Sequence, residues 1–177
     1  MSQRVKEEAI SWIKALILAV IIGWVIRSVI IINAVIPSGS MEDTIMTDDR
    51  VIASRLSYIF SDPKRGDIVI FEYPDAPEGE TVHYVKRIIG LPGETIEIID
   101  GKVYINGSEI PLEEDYIKGE LQGDFGPYIV PEGSYFMMGD NRNNSLDSRY
   151  WDDKFVEEDE ILGKVIFKYY KGISLIK

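Results

Sequence analysis

Two serines flanking a glycine, one lysine among apolar residues and an eleven-residue polar loop are the parts of this chain best equipped for chemistry. The serines lie in Pro37-Ser38-Gly39-Ser40-Met41-Glu42-Asp43-Thr44-Ile45. A hydroxyl at the head of a short helix sits beside backbone N–H groups that lack intrahelical partners. Such groups can stabilise the oxyanion that forms when a carbonyl is attacked. The same residues also make an ordinary helix cap. A serine nucleophile needs a base, and the chain offers one histidine, His83, and no cysteine. A Ser-His-Asp arrangement must therefore use His83; the other option is a lysine. Lysine accepts a proton only when neutral, which calls for apolar or positively charged surroundings. Lys86 lies in Thr81–Ile89, an apolar run that reads as a strand. Alternation places Lys86 on one face with Tyr84 and Ile88, and His83, Val85 and Arg87 on the other. A strand lysine also serves simply to protect a sheet edge.

The polar loop runs Gly139-Asp140-Asn141-Arg142-Asn143-Asn144-Ser145-Leu146-Asp147-Ser148-Arg149. It is not a calcium loop. Arg142 and Ser145 stand where an EF-hand needs a ligand and a glycine, and Trp151 takes the place of the closing glutamate. Short polar side chains with two arginines suit a buried hydrogen-bond network. Asp147 with Arg149, or Asp140 with either arginine, would supply its charge pairs. The absence of cysteine excludes disulfides and thiolate metal sites.

The elements that must position these residues begin with an apolar run, Ile10 to Ile32, charged only at Lys14 and Arg27. As a helix it reaches about 35 Å, against about 30 Å of hydrocarbon in a bilayer. Lys14 and Arg27 must then snorkel to opposite faces, with Trp12 and Trp24 near the interfaces. A buried core helix would need partner helices, and no later segment supplies them. Ile31-Ile32-Asn33-Ala34-Val35 is not a small-x-small cleavage site, so the run reads as an uncleaved anchor rather than a signal peptide. Arg4, Lys6 and Lys14 favour a cytoplasmic N-terminus. The expected division is a short cytoplasmic N-terminus over 1–9, an anchor over 10–29 and an extracytoplasmic domain over 30–177.

Beyond Pro37 the pattern changes to short β-rich runs at Arg50–Ser57, Asp67–Tyr73, Thr81–Ile89, Thr95–Ile99, Lys102–Ile105, Ser108–Leu112, Ser134–Met138 and Ile161–Tyr170. Asp100-Gly101 and Asn106-Gly107 are two-residue hairpin turns that would make the three runs around them a meander. Met41–Met46 reads as a short helix with Ser40 at its start. Residues 113–130, acidic and glycine-rich, read as an exposed excursion. The fold class is mainly β: an N-terminal transmembrane helix and a mostly antiparallel sheet domain. The first 36 residues carry +2 and the chain −11, so the remainder holds −13. A body so acidic repels phosphate backbones, which argues against nucleic-acid binding.

In order and spacing, Ser38-Gly39-Ser40-Met41, Lys86 through Glu94 and Gly139 through Arg149 resemble the motifs of the bacterial type I signal peptidases. Those enzymes carry Ser-x-Ser-Met soon after an anchor, then Lys-Arg-x-x-Gly-x-Pro-Gly-acid, then Gly-Asp-Asn-Arg-x-Asn-Ser-x-Asp-Ser-Arg. The resemblance implies a membrane-bound serine endopeptidase that removes signal peptides from secretory preproteins at small-x-small sites, with no cofactor and no metal. Membrane lipid would be its other partner. Ser40 would be the nucleophile and Lys86 the general base. The Ser40 N–H and the Ser38 hydroxyl would form the oxyanion hole. Ser145 would hydrogen-bond Lys86, and Asp147, Arg149 and Asp140 would form a supporting network. Met41, Ile45, Tyr84 and Val85 would line shallow pockets, and the extended substrate would lie along the strand of Lys86. The sheet domain would share its fold and Ser-Lys chemistry with the self-cleaving domain of SOS-response repressors, although no DNA-binding segment is present. Asp43 stands where the family usually has proline. That departure leaves one alternative, a non-catalytic, membrane-tethered β-domain that binds extended peptides.

Overall fold

The computed structural model describes residues 3–117, 119, 123–170 and 172–176. A helix, α1 (Gln3–Val25), continues through a π-helical turn at Ile26–Ile30 and passes without a linker into strand β1 (Ile31–Val35). The run Lys6–Ile30 is long and apolar enough to cross a membrane. Its large side chains, among them Trp12, Leu16, Val20 and Trp24, are exposed, so this is not a core helix. The expected apolar run to Ile32 thus divides. Its last two isoleucines leave the helix because β1 pairs with β2 (Arg50–Ser54), Ile31 opposite Ser54 and Val35 opposite Arg50.

The remaining strands are β3 (Ile68–Glu72), β4 (His83–Gly90), β5 (Thr95–Ile99), β6 (Lys102–Ile105), β7 (Phe125–Ile129), β8 (Ser134–Met138), β9 (Val156–Glu157), β10 (Ile161–Lys168) and β11 (Ser174–Leu175). The larger sheet runs β1-β2-β10-β3-β4-β8-β9, antiparallel throughout, with β11 on β10. The smaller runs β6-β5-β7. The mainly β, antiparallel expectation therefore holds.

Several boundaries differ from the sequence reading, each for a local reason. The run expected as a strand to Ser57 ends at Ser54 and turns into a 3-10 helix at Leu56–Tyr58. Asp100-Gly101 is a hairpin turn with positive φ at both residues, 49° and 74°. Asn106-Gly107 has the same signature, at 54° and 69°, but Ser108–Leu112 is not a strand. The third strand of the small sheet is β7 instead, which lies inside the segment expected as an exposed excursion. The expected helix over Met41–Met46 is a 3-10 turn at Gly39–Met41 followed by a β-turn.

Alternating apolar residues build three core clusters. One gathers Ile36, Met41, Ile45, Ile70 and Val165 under the serine turn. A second joins the two sheets through Ile89, Ile96, Ile98 and Phe136. The third packs Phe71, Ile88, Tyr135 and Trp151 on the opposite face of the large sheet. At Gly163, where the β10–β3 register shifts, the backbone of β2 approaches closely: a Cβ there would lie 2.7 Å from the Ser54 carbonyl oxygen. Gly163→Ala should therefore lower stability by about 1–3 kcal/mol through overpacking. Denaturant unfolding in detergent measures this, and a change below about 0.5 kcal/mol would contradict the close approach.

Candidate active site

Ser40 lies in the middle of the 3-10 turn Gly39–Met41, with its carbonyl held by the Asn141 N–H at 3.1 Å. Asn141 Nδ2 also donates to Gly39 O at 3.0 Å. The polar loop thus grips the serine turn through backbone atoms. Lys86 Nζ reaches 2.7 Å from Ser40 Oγ, at 4% exposure for the lysine as a whole. The same nitrogen donates to Val85 O at 3.2 Å and lies 5.2 Å from the centre of the Tyr84 ring. Burial pushes the Lys86 ammonium from 10.5 down to about 8; the Asp147 and Asp140 carboxylates oppose that shift and Arg149 assists it. An amine near 8 carries a usable neutral fraction near pH 7, so it can take a proton from the hydroxyl beside it.

His83 is exposed at the rim of the cleft, and the amine beside Ser40 belongs to Lys86. Ser38 Oγ lies 3.4 Å from Ser40 Oγ. Asp147 and Arg149 form a fully buried pair at 2.7 Å, and Asp147 Oδ2 also accepts the Gly139 N–H at 3.0 Å. Two expectations need correction. Asp140 pairs with neither arginine of its own loop. Its carboxylate takes Arg87 Nε and Nη2 at 2.8 and 2.7 Å and the Thr44 hydroxyl at 2.5 Å. The register of β4 on β8, Arg87 opposite Met138, brings Arg87 to the start of the loop. Ser145 was expected to bond Lys86, yet its Oγ is buried without a hydrogen-bond partner, while Lys86 is turned to Ser40 and Val85 O. Ser145 packs instead against Gly139, where a Cβ would collide with Ser145 Oγ and Ser40 O.

The pair opens onto a cleft of about 850 Å³. Met41, Tyr84 and Val85 line it, as does Ser145. Ile45 does not. It is fully buried beneath, packed with Met41 and Ile70, and supports the floor from behind. The sequence reading gave no role to Ala34 and Ile36 on one wall, or to Leu146 and Tyr150 on the other. β1 could not be read as a wall while it was merged with the anchor. Arg87 was also given none, although a buried strand arginine calls for a counter-charge or other partners. Along β4, His83–Lys86 pair with β3 on one edge, whereas β8 joins only from Arg87 onward. Among the described residues, that second edge has no strand partner and faces the cleft.

Asp43 has φ 81°. With Glu42 at φ −55° and ψ 151°, and the Thr44 N–H on Met41 O at 3.1 Å, it forms a type II turn with Asp43 at the position glycine prefers. The proline of the related motif cannot take this conformation, because its ring holds φ near −65°.

A buried amine in contact with a serine hydroxyl, on a β scaffold that leaves one strand edge open, has the geometry that lysine-assisted serine hydrolases require. The comparisons with known proteins carry this to a family. The model for "Signal peptidase, peptidase S26" matches residues 9–170, and the chain belongs to that family. A probable signal peptidase I-2 of Synechocystis sp. is 41% identical over 159 residues, covering 89% of this chain and 71% of that one. Signal peptidase I S of Bacillus subtilis is 37% identical over 176 residues, covering 93% and 91%. A solved signal peptidase I from Enterococcus faecalis V583 is 37% identical, with a TM-score of 0.49, and covers 59% of this chain and 97% of that one.

Two outcomes follow from this geometry. Asp147→Asn leaves Arg149 buried without its counter-charge and should cost about 3–5 kcal/mol in denaturant unfolding. Asp43→Gly should stay within about 1 kcal/mol of the parent, and Asp43→Pro should lose more than that. A proline variant as stable as the parent would show that the turn is not fixed at positive φ.

Proposed function

We propose that this chain is a membrane-bound endopeptidase that removes N-terminal signal peptides from secreted preproteins at small-x-small sites, with Ser40 as nucleophile and Lys86 as general base. The observation that carries the reading is the 2.7 Å contact between Lys86 Nζ and Ser40 Oγ, made by a lysine whose burial favours the neutral amine. Neutral Lys86 takes the Ser40 proton as Oγ attacks the scissile carbonyl. The Ser40 N–H and Ser38 hydroxyl face the oxyanion. The resulting ammonium protonates the leaving amine, the C–N bond breaks and an acyl-enzyme remains. Water then attacks the ester, Lys86 accepts its proton, and Ser40 is regenerated by protonation from the ammonium. The reaction needs no metal or organic cofactor.

The substrate is an extended segment that pairs with the open edge of β4 near His83–Lys86 and places small side chains against Met41, Tyr84 and Val85. Helix α1 and the turn after it cross the membrane, with the N-terminus cytoplasmic and the β domain outside. The anchor places Ser40 near the outer surface, where a signal peptide lying in the bilayer presents its cleavage site. Shared depth then adds to the selectivity that small pockets supply.

Purified full-length protein should cleave a preprotein bearing a small-x-small site, and Ser40→Ala and Lys86→Ala should each lose at least about 1000-fold in kcat/KM. Equal activity in all three would sink the reading. The pH profile has a defined sign. As pH falls through about 8, a growing share of Lys86 is held as an ammonium that cannot accept the Ser40 proton, so activity declines progressively with falling pH and is recovered above that value. A rate unchanged from pH 9 to pH 5 would exclude a lysine base, because protonation must deplete the active form over that range.

A further inference from the structure

Two buried arginines beside the Ser40–Lys86 pair are gripped by a segment outside all three motifs. That segment, residues 113–117, belongs to the connection between β6 and β7. Its Glu114 carboxylate, 8% exposed, receives Arg142 Nη1 at 3.0 Å and Nη2 at 2.5 Å. The Tyr116 hydroxyl donates to the same carboxylate at 2.6 Å. The Tyr116 ring lies against the guanidinium of Arg87, 3.9 Å from Cζ to the ring centre.

Both arginines also reach the site, and Arg87 further donates to Gly66 O at 2.6 Å. Arg87 holds Asp140. Arg142 Nε donates to Gly139 O at 3.0 Å, and Arg142 O accepts Arg149 Nη2 at 2.7 Å. Gly139 touches Ser145 and Ser40, and Asn141 holds the Ser40 carbonyl. An exposed acidic loop has no need of this. A surface carboxylate gains little from an arginine. A buried two-point pair is directional, and removing one member strands the other's charge.

We propose that Glu114 and Tyr116 are positioning residues for the cleavage reaction: through Arg142 and Arg87 they hold the polar loop in the register that keeps Ser40 against Lys86. The proposal rests on the Ser40–Lys86 reading and adds an electrostatic consequence to it. Lys86 faces Asp140, Asp147 and Arg149, with Ser40 and Tyr84 as its uncharged neighbours. Arg142 faces Glu114, Tyr116 and Asp140. With Glu114 in place the charge of Arg142 is matched. Without it, a surplus positive charge sits beside Asp140 and weakens that carboxylate's hold on the Lys86 ammonium. The protonation midpoint of Lys86 then moves down, which a merely structural strap would not cause.

The test uses the full-length chain in detergent, with two readouts. One is cleavage kinetics on the small-x-small preprotein. The other is the pH midpoint for labelling Lys86 with a small amine reagent, followed by mass spectrometry, which needs no turnover. Glu114→Gln should lower kcat about 10-fold with KM within about twofold, and lower the labelling midpoint by about half a unit. Tyr116→Phe keeps the ring on Arg87 but loses the bond to Glu114; it should lower kcat about threefold with KM within about twofold, and, because Glu114 still matches Arg142, leave the labelling midpoint in place. A folded Glu114→Gln with parental kcat and an unmoved midpoint overturns the proposal. So does a loss of activity that only tracks the folded fraction while the midpoint stays. If Glu114→Gln does not fold, Tyr116→Phe decides by its kinetics: a folded variant with lowered kcat and KM within about twofold supports the proposal, and one with parental kcat overturns it. Comparing the parent with Ser40→Ala in the same assay tests the dyad separately, so failure of one reading is not mistaken for failure of the other.

Discussion

Weakening the hold of one buried lysine on its proton, inside an acidic protein, is the constraint on which the rest of the structure depends. The chain carries −11, and any unmatched carboxylate near Lys86 would hold the proton on its amine. The structure meets this by giving each nearby carboxylate its own arginine: Asp147 with Arg149, Asp140 with Arg87, and further out Glu114 with Arg142. The first two pairs lie almost wholly out of water and the third nearly so. Such pairs are weak sources of stability, because desolvation offsets much of their attraction. Their value here is local: they supply buried polar rigidity around the amine while contributing little net charge to it. Burial can then dominate the lysine's environment.

The same pairs tie together segments far apart in the chain. Arg87 stands next to Lys86 on β4, and its carboxylate lies 53 residues later. The Thr44 hydroxyl reaches that carboxylate from the serine turn. Lys168 of β10 donates to Thr44 O at 2.9 Å and so braces the turn from the other side. The Ser40 turn is therefore fixed by three elements rather than by its own short helix, whose single 3-10 turn could not hold it alone.

How much of this could be read from the chain varies with the range of the interaction. β5 and β6 follow from local chemistry, because Asp100-Gly101 supplies the positive φ the hairpin needs. The β4 strand and the shared face of Tyr84 and Lys86 follow from alternation. β7 does not: Phe125-Gly126-Pro127-Tyr128-Ile129 has a turn's composition and becomes a strand only by pairing with β5. β1 was hidden for the opposite reason, since its isoleucines continue the apolar run of the helix. The Asp147–Arg149 pair spans two residues and was legible, whereas the partner of Asp140 is set by the β4–β8 register and was not. Ser145 shows a further limit: a motif names a hydroxyl, and packing against Gly139 decides where it points.

The direct passage from helix to β1 turns a strand register into a ruler. Ile31 faces Ser54 and Val35 faces Arg50, with no slack between the helical turn and the first pair. The Arg55 N–H closes the joint on Ile30 O at 2.9 Å. Adding a single residue to β1 would displace the cleft along the strand by about 3.3 Å and exchange its inward and outward side chains at once. Helix and cleft thus share one mechanical frame, so any tilt or vertical shift of the helix is delivered to the serine undamped.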